Sequence, residues 1–140
     1  MVNSNEYKVI VAIAEDDGNH VEIVTRAIMS VSDKLITVAY TSGEALIESL
    51  KDDQSFPSLI LMDINMPGIG GLEALRIIKC DSKLKHIPVV IFSTSEADKD
   101  RKAAYSNNAN GYLVKPHDYA ELKSCMRTVV SFWLDLNRLP

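Results

Sequence analysis

Four short segments carry side chains whose types suit one reaction if they are brought together: Glu15-Asp16-Asp17, Asp63, Ser93-Thr94-Ser95 and Lys115-Pro116. Each follows directly on a run of apolar residues: VIVAIA, LILM, VVIF and GYLV in turn. Carboxylates crowded within a few ångströms push one another's pKa upward, a penalty that a divalent cation removes. Mg2+ suits such a set because it is hard, seeks oxygen, and is held by one or two carboxylates with waters and a phosphate. Lys115 then stands as a point charge beside an anion, and Ser93 donates a hydrogen bond to it. A carboxylate nucleophile, an Mg2+ site, an ammonium and a hydroxyl are the parts needed to transfer a phosphoryl group onto Asp63, giving an aspartyl phosphate. At the end of a rigid strand Asp63 is held in place. Met66-Pro67-Gly68 is expected to turn the chain away and leave its carboxylate facing solvent.

These segments meet only if the apolar runs lie side by side. YKVIVAIA (7–14), LITVAY (35–40), SLILM (58–62), PVVIF (88–92) and GYLV (111–114) are short and rich in Val, Ile and Leu, as strands buried on both faces should be. Between them, Val21, Val24, Ile28 and Val31 recur at helical spacing, as do Leu72, Leu75 and Ile78. Thr41-Ser42-Gly43-Glu44 reads as a capping box that starts the second helix, and NNANG (107–111) closes the fourth with residues that tolerate a left-handed backbone. The pattern is (βα)5. Its connections are too long for hairpins, which predicts a parallel sheet covered on both faces. Ligands of such sheets bind beyond the carboxyl ends of the strands, near the point where strand order reverses. The reactive segments all stand at those ends.

Composition narrows the class. With 140 residues the chain is expected to be one domain, 1–140, without room for a separate output domain. The apolar fraction of 46% and charged fraction of 24% fit an ordinary globular protein, and a net charge of −4 argues against a nucleic-acid surface. The N-terminal MVNSNEYK is not expected to act as a signal peptide, and no apolar run is long enough to span a membrane, so the cytoplasm is the expected compartment. Cys80 and Cys125 lack metal spacing and read as core thiols; His20, His86 and His117 read as surface histidines.

The blocks AEDD (14–17), LILMDINMPGIGG (59–71), VVIFSTS (89–95) and GYLVKP (111–116) together resemble the receiver domain of two-component response regulators, over essentially the whole chain. The resemblance implies a flavodoxin-like doubly wound fold with strand order 2-1-3-4-5. It makes Asp63 the phosphoacceptor, Glu15 and Asp16 the acidic pair for Mg2+, and the backbone carbonyl of Asn65 a further ligand. Ser93 matches the switch hydroxyl, Tyr112 the aromatic that changes rotamer with it, and Lys115 the conserved lysine of that family. A histidine kinase or phosphotransfer protein would supply the phosphoryl group. The ending SFWLDLNRLP (131–140) resembles a narrower group, the single-domain regulators that serve phytochrome-type histidine kinases. Thr94, His117 and Gly70 depart from the family pattern, where a small residue, Phe and Asp respectively are common.

Other readings of the same residues lead elsewhere. Alone, Asp63 would be a capping acid, Lys115 a surface lysine, Ser93 a loop hydroxyl and Tyr112 a core aromatic; the constellation carries the weight. A Mg-dependent phosphatase that works through an aspartyl phosphate wants a second carboxylate two residues on, where this chain has Asn65. A nucleotide or flavin module wants a glycine-rich loop after the first strand, where EDDGN would repel phosphate. An interaction module that is never phosphorylated would be expected to lose the acceptor, the acid pair or the lysine. At the C-terminus Tyr119, Leu122, Met126, Val129 and Trp133 form one stripe expected to face the sheet, with the tail at about 131–140 extending the last helix. Phe132, Leu136 and Leu139 project beside that stripe. They either fold back over the sheet edge or form a face for a symmetric dimer or a docking kinase, the reading preferred here.

Overall fold

The computed structural model describes residues 9–52 and 56–140; the expected strand residues Tyr7 and Lys8 lie outside them. Five strands alternate with five helices: β1 (Val9–Ala14), α1 (Gly18–Met29), β2 (Leu35–Tyr40), α2 (Gly43–Ser49), β3 (Leu59–Met62), α3 (Gly70–Cys80), β4 (Val89–Ser93), α4 (Asp98–Ser106), β5 (Gly111–Val114) and α5 (Tyr119–Val130). All pairings are parallel and the spatial order is β2-β1-β3-β4-β5, a flavodoxin-like doubly wound sheet. Strand order reverses between β1 and β3, so the crevice of the sheet opens beside the ends of those two strands.

Side chains alternate across the three central strands and split the core in two. Val11, Ile13, Leu59, Leu61, Val90 and Phe92 point to one face, where Val24, Ala27 and Ile28 of α1 and Leu122, Met126, Val129 and Val130 of α5 cover them. Ala12, Ala14, Ile60, Met62, Val89 and Ile91 point to the other, beneath Leu46 of α2 and Ala74, Leu75 and Ile78 of α3. The helix α4 contributes only Ala104 to this layer. β2 and β5 are edge strands and are mostly half-exposed, unlike the doubly buried strands that their Val and Ile content suggests; each has a neighbour on one side only.

Several local expectations change on folding. The N-cap of α2 is Ser42, whose hydroxyl accepts from the Ala45 N–H at 3.1 Å, so Glu44 lies one position too early to close a reciprocal box. Its carboxylate instead accepts the Ile69 N–H at 2.7 Å, which ties α2 to the loop after β3. Asn108 takes φ +67° after α4, and the N–H groups of Asn108 and Ala109 return to the carbonyls of Tyr105 and Ala104, as the NNANG stretch suggested. Cys80 is exposed rather than a core thiol because it ends α3 on its outer side. Tyr119 leaves the α5 stripe and is 39% exposed, whereas Val130, four residues after Met126, is buried. After Val130 the chain widens into a π-helical turn, Ser131–Leu136, closed by the Asn137 N–H on the Phe132 carbonyl at 2.7 Å. Trp133 and Leu134 lean on the α1–α5 layer, and Phe132 meets Trp133 edge to face. Phe132, Leu136 and Leu139 are exposed, not folded back over the sheet.

Candidate functional site

The sheet positions three of the candidate residues by continuing its ladder one residue past the strand. Glu15 N–H donates to the Tyr40 carbonyl, Asp63 N–H to that of Ala14, and Lys115 N–H to that of Ser93, at 2.8–3.0 Å. Side chains that leave such a fixed backbone have little freedom to miss one another.

Lys115 Nζ donates to both Glu15 Oε1 and, at 3.0 Å, Asp63 Oδ2. Glu15 is 3% exposed and Asp63 8%, so the Asp63 carboxylate lies beneath the lysine rather than facing open solvent as its loop suggested. The other Asp63 oxygen accepts the Asn65 N–H at 3.2 Å, and Glu15 Oε2 accepts that of Asp16 at 3.0 Å. One ammonium is shared by two buried carboxylates, leaving negative charge uncompensated. Burial, reinforced by the neighbouring Asp63 and only partly offset by Lys115, pushes the Glu15 pKa up to about 7. Lys115 itself is opposed by burial, but its two carboxylate partners prevail and hold it above the ordinary lysine value. Oxygens of Glu15, Asp63 and the exposed Asp16 lie within 4.8 Å of one another, close enough for one hard cation to touch all three carboxylates.

Ser93 is fully buried at the end of β4, where its hydroxyl accepts the Ser95 N–H at 3.1 Å. Tyr112, half-buried on β5, donates its hydroxyl to the Ser95 carbonyl at 2.9 Å. Thr94 and His117, two of the departures from the family pattern, line a hollow of about 180 Å3 with His20, Glu96, Val114, Lys115 and Pro116. Gly70, the third, has φ +74° and starts α3.

Sequence reasoning missed three contributors. His20 is no plain surface histidine: its ring centroid lies 5.8 Å from that of Phe92, and Nε2 is buried without a hydrogen-bond partner among the described residues. Burial first, and then Lys115, lower its pKa and favour the neutral ring. Gly71 lets α3 approach Asp63, since a Cβ there would stand 2.0 Å from the Asp63 carbonyl oxygen. Lys79 extends from α3 to the carbonyls of Lys85 and Ile87, at 3.0 and 2.8 Å, and so fastens the loop that enters β4. A helical period of apolar residues signals none of these contacts.

Comparison with known proteins assigns this geometry to a family, because residues 11–127 match the response regulator receiver domain. The chain belongs to that family. As a receiver it is 33% identical over 135 residues to the "Probable methanogenesis regulatory protein FilR2" of Methanothrix harundinacea, which covers 94% of this chain and 87% of that protein. It is 40% identical over 84 residues to the response regulator Rcp1 of Synechocystis, 60% of this chain and 57% of Rcp1. Among solved structures, the phosphorylated cyanobacterial phytochrome response regulator RcpA superposes with a TM-score of 0.88 at 29% identity, over 94% of this chain and 98% of that one. The Mn2+-bound form of Rcp1 superposes with a TM-score of 0.84 at 30% identity, over 94% and 99%. No helix among the described residues is long and apolar enough to cross a membrane.

Proposed function

We propose that this receiver accepts a phosphoryl group on Asp63 from the phosphohistidine of a sensor histidine kinase or a phosphotransfer protein. The observation that carries the reading is the convergence of Glu15, Asp16, Asp63, Ser93 and Lys115 at the ends of four adjacent strands. An oxygen of Asp63 attacks phosphorus, a P–O bond forms, and the P–N bond breaks with its electron pair returning to the imidazole, which takes up a proton. Glu15, Asp16 and Asp63, with the Asn65 backbone carbonyl, would hold Mg2+, and their all-oxygen donor set fits that ion. When bound, Mg2+ neutralises charge on the transferring phosphoryl group. Lys115, already against Asp63, is placed to bind a phosphoryl oxygen, and Ser93 donates its hydroxyl proton to another. The domain thus catalyses its own phosphorylation and its slower hydrolysis, and acts otherwise as a signalling protein rather than a turnover enzyme.

Output is a changed surface around α4, β5 and α5, biased through Ser93 and Tyr112. The likeness to RcpA and Rcp1 supports a phytochrome-type kinase as the donor. Phe132, Leu136 and Leu139 supply an exposed apolar face for a second copy or that kinase. The deciding experiment is incubation with acetyl phosphate and Mg2+ followed by intact-mass analysis. The parent gains one acid-labile phosphoryl group and Asp63→Asn gains none; equal labelling of the two proteins would exclude Asp63 as acceptor.

A further inference from the structure

Ser95 gathers more hydrogen bonds than its place in a short loop requires. Its N–H donates to Ser93 Oγ at 3.1 Å and its carbonyl accepts the Tyr112 hydroxyl at 2.9 Å. Its own hydroxyl donates to Asp100 Oδ2 at 2.5 Å while accepting the Ala97 N–H at 3.2 Å. Every polar atom of this residue is therefore engaged, and the partners come from β4, β5 and the first turn of α4. A serine hydroxyl has one proton to donate and lone pairs that accept, so both side-chain bonds coexist. The bond to Asp100 is charge-assisted and short, the strong member of the set.

The same inventory applies to Ser93. Because the Ser95 N–H occupies an acceptor position on Ser93 Oγ, the Ser93 proton remains free to donate elsewhere. The α4 N-cap, Ala97, has only a methyl side chain and makes no side-chain capping hydrogen bond, and Asp100, in the first turn of α4, reaches back to the loop instead. We infer that Ser95 and Asp100 are positioning residues: anchored by Asp100, Ser95 holds the Ser93 hydroxyl with its proton available to a phosphoryl oxygen and presents the carbonyl that seats the Tyr112 hydroxyl. The inference rests on the reading of Asp63 as phosphoacceptor. It adds that switching in this receiver runs through a side-chain link from the β4 end to α4, and not through Ser93 and Tyr112 alone.

The test compares Ser95→Ala and Asp100→Ala with Ser95→Thr, which keeps the hydroxyl. Tyrosine-labelled NMR, with Tyr112 assigned from Tyr112→Phe, reads the seat of that ring in the ligand-free protein. Titration with beryllofluoride in saturating Mg2+ reads its consequence for the phosphoryl analogue. Both alanine variants should move the Tyr112 ring signals and weaken beryllofluoride binding by about tenfold, the effect of losing one charge-assisted hydrogen bond, while Ser95→Thr stays near the parent. Combining Asp100→Ala with Tyr112→Phe should weaken binding by less than the product of the two single effects, since the residues act through one link. A Tyr112 signal indifferent to both alanine variants, or independent effects in the combined variant, overturns the inference. If the parent itself fails to bind beryllofluoride, the phosphoacceptor reading falls separately, and the ligand-free Tyr112 signal still decides whether Ser95 and Asp100 seat that ring.

Discussion

Adding one methyl group at Gly71 tests whether the β3–α3 junction sets the position of the acceptor. The ideal Cβ would lie 2.0 Å from the Asp63 carbonyl oxygen, 2.9 Å from its carbonyl carbon and 2.9 Å from Ile64 Cα, where real contacts stay at or above 3.0 Å. All three are backbone atoms, so no side chain can swing aside, and α3 must separate from the end of β3 by about 1 Å (3.0 less 2.0). Alanine favours the helix over glycine by about 1 kcal/mol, and overpacking opposes it by about 1–3 kcal/mol, the upper end applying where backbone meets backbone. The net loss for Gly71→Ala is about 1–2 kcal/mol, or roughly 3–6 °C in Tm for a domain of this size. Function should suffer more than stability. The atoms displaced belong to Asp63 itself, and a misplacement of about 1 Å costs on the order of 100-fold in a reaction that depends on alignment. Rates of phosphorylation by acetyl phosphate in Mg2+ and urea midpoints measure the two effects, with Gly18→Ala as control because nothing among the described residues lies within 4 Å of a Cβ there. Parent-like phosphorylation of Gly71→Ala would refute the argument, whatever its stability.

Other perturbations probe the charges and the apolar face. In chelator, Glu15 binds a proton more tightly folded than unfolded, so its contribution to stability is greatest below its ordinary value of 4.5 and is lost as pH rises through about 7; urea midpoints at pH 5.5 and 7.5 should fall for the parent and change less for Glu15→Gln. At pH 7.5, Mg2+ at 100 times its Kd should restore about 2.7 kcal/mol, and a melting temperature indifferent to millimolar Mg2+ would count against the acidic site. Lys115→Ala should retain some phosphorylation of Asp63 but lose most of the conformational response, because the shared ammonium distinguishes a phosphorylated from a bare acceptor; equal phosphorylation-dependent spectral changes in variant and parent would contradict this. Phe132→Ala combined with Leu136→Ala should give a folded monomer at concentrations where the parent self-associates, or weaken kinase transfer, read by sedimentation and by phosphotransfer rate.

How much of this was legible in the sequence depends on the range of the interaction. Strand identity, helix periodicity and the residue at each strand end are local properties, and from them the parallel sheet and the rim bearing Glu15, Asp63, Ser93 and Lys115 follow directly. The burial of Asp63 was not legible, because it depends on where the long Lys115 side chain lies once β5 is in place. Glu44 was misread for a related reason: its true partner, the Ile69 N–H, is 25 residues away, while a local cap offered a nearer explanation. Tyr119 fitted the periodicity of α5, but it stands at the first residue of the helix, where the apolar stripe runs past its cover. Cys80 and His20 show that one residue's type does not reveal which side of a helix end it occupies.

The slender attachment of α4, which buries only Ala104, has a consequence for how a signal can spread. Local opening is easiest where few apolar contacts must be broken, and such segments exchange their amide hydrogens without global unfolding. The helices α1 and α5, by contrast, each bury three or more side chains against the sheet. A conformational bias of one or two hydrogen bonds is too small to unseat those helices, yet comparable to what holds α4 in place. The helices are thus held with unequal strength, and a small local event at the strand ends is channelled toward the most weakly held of them while the rest of the framework stays in register.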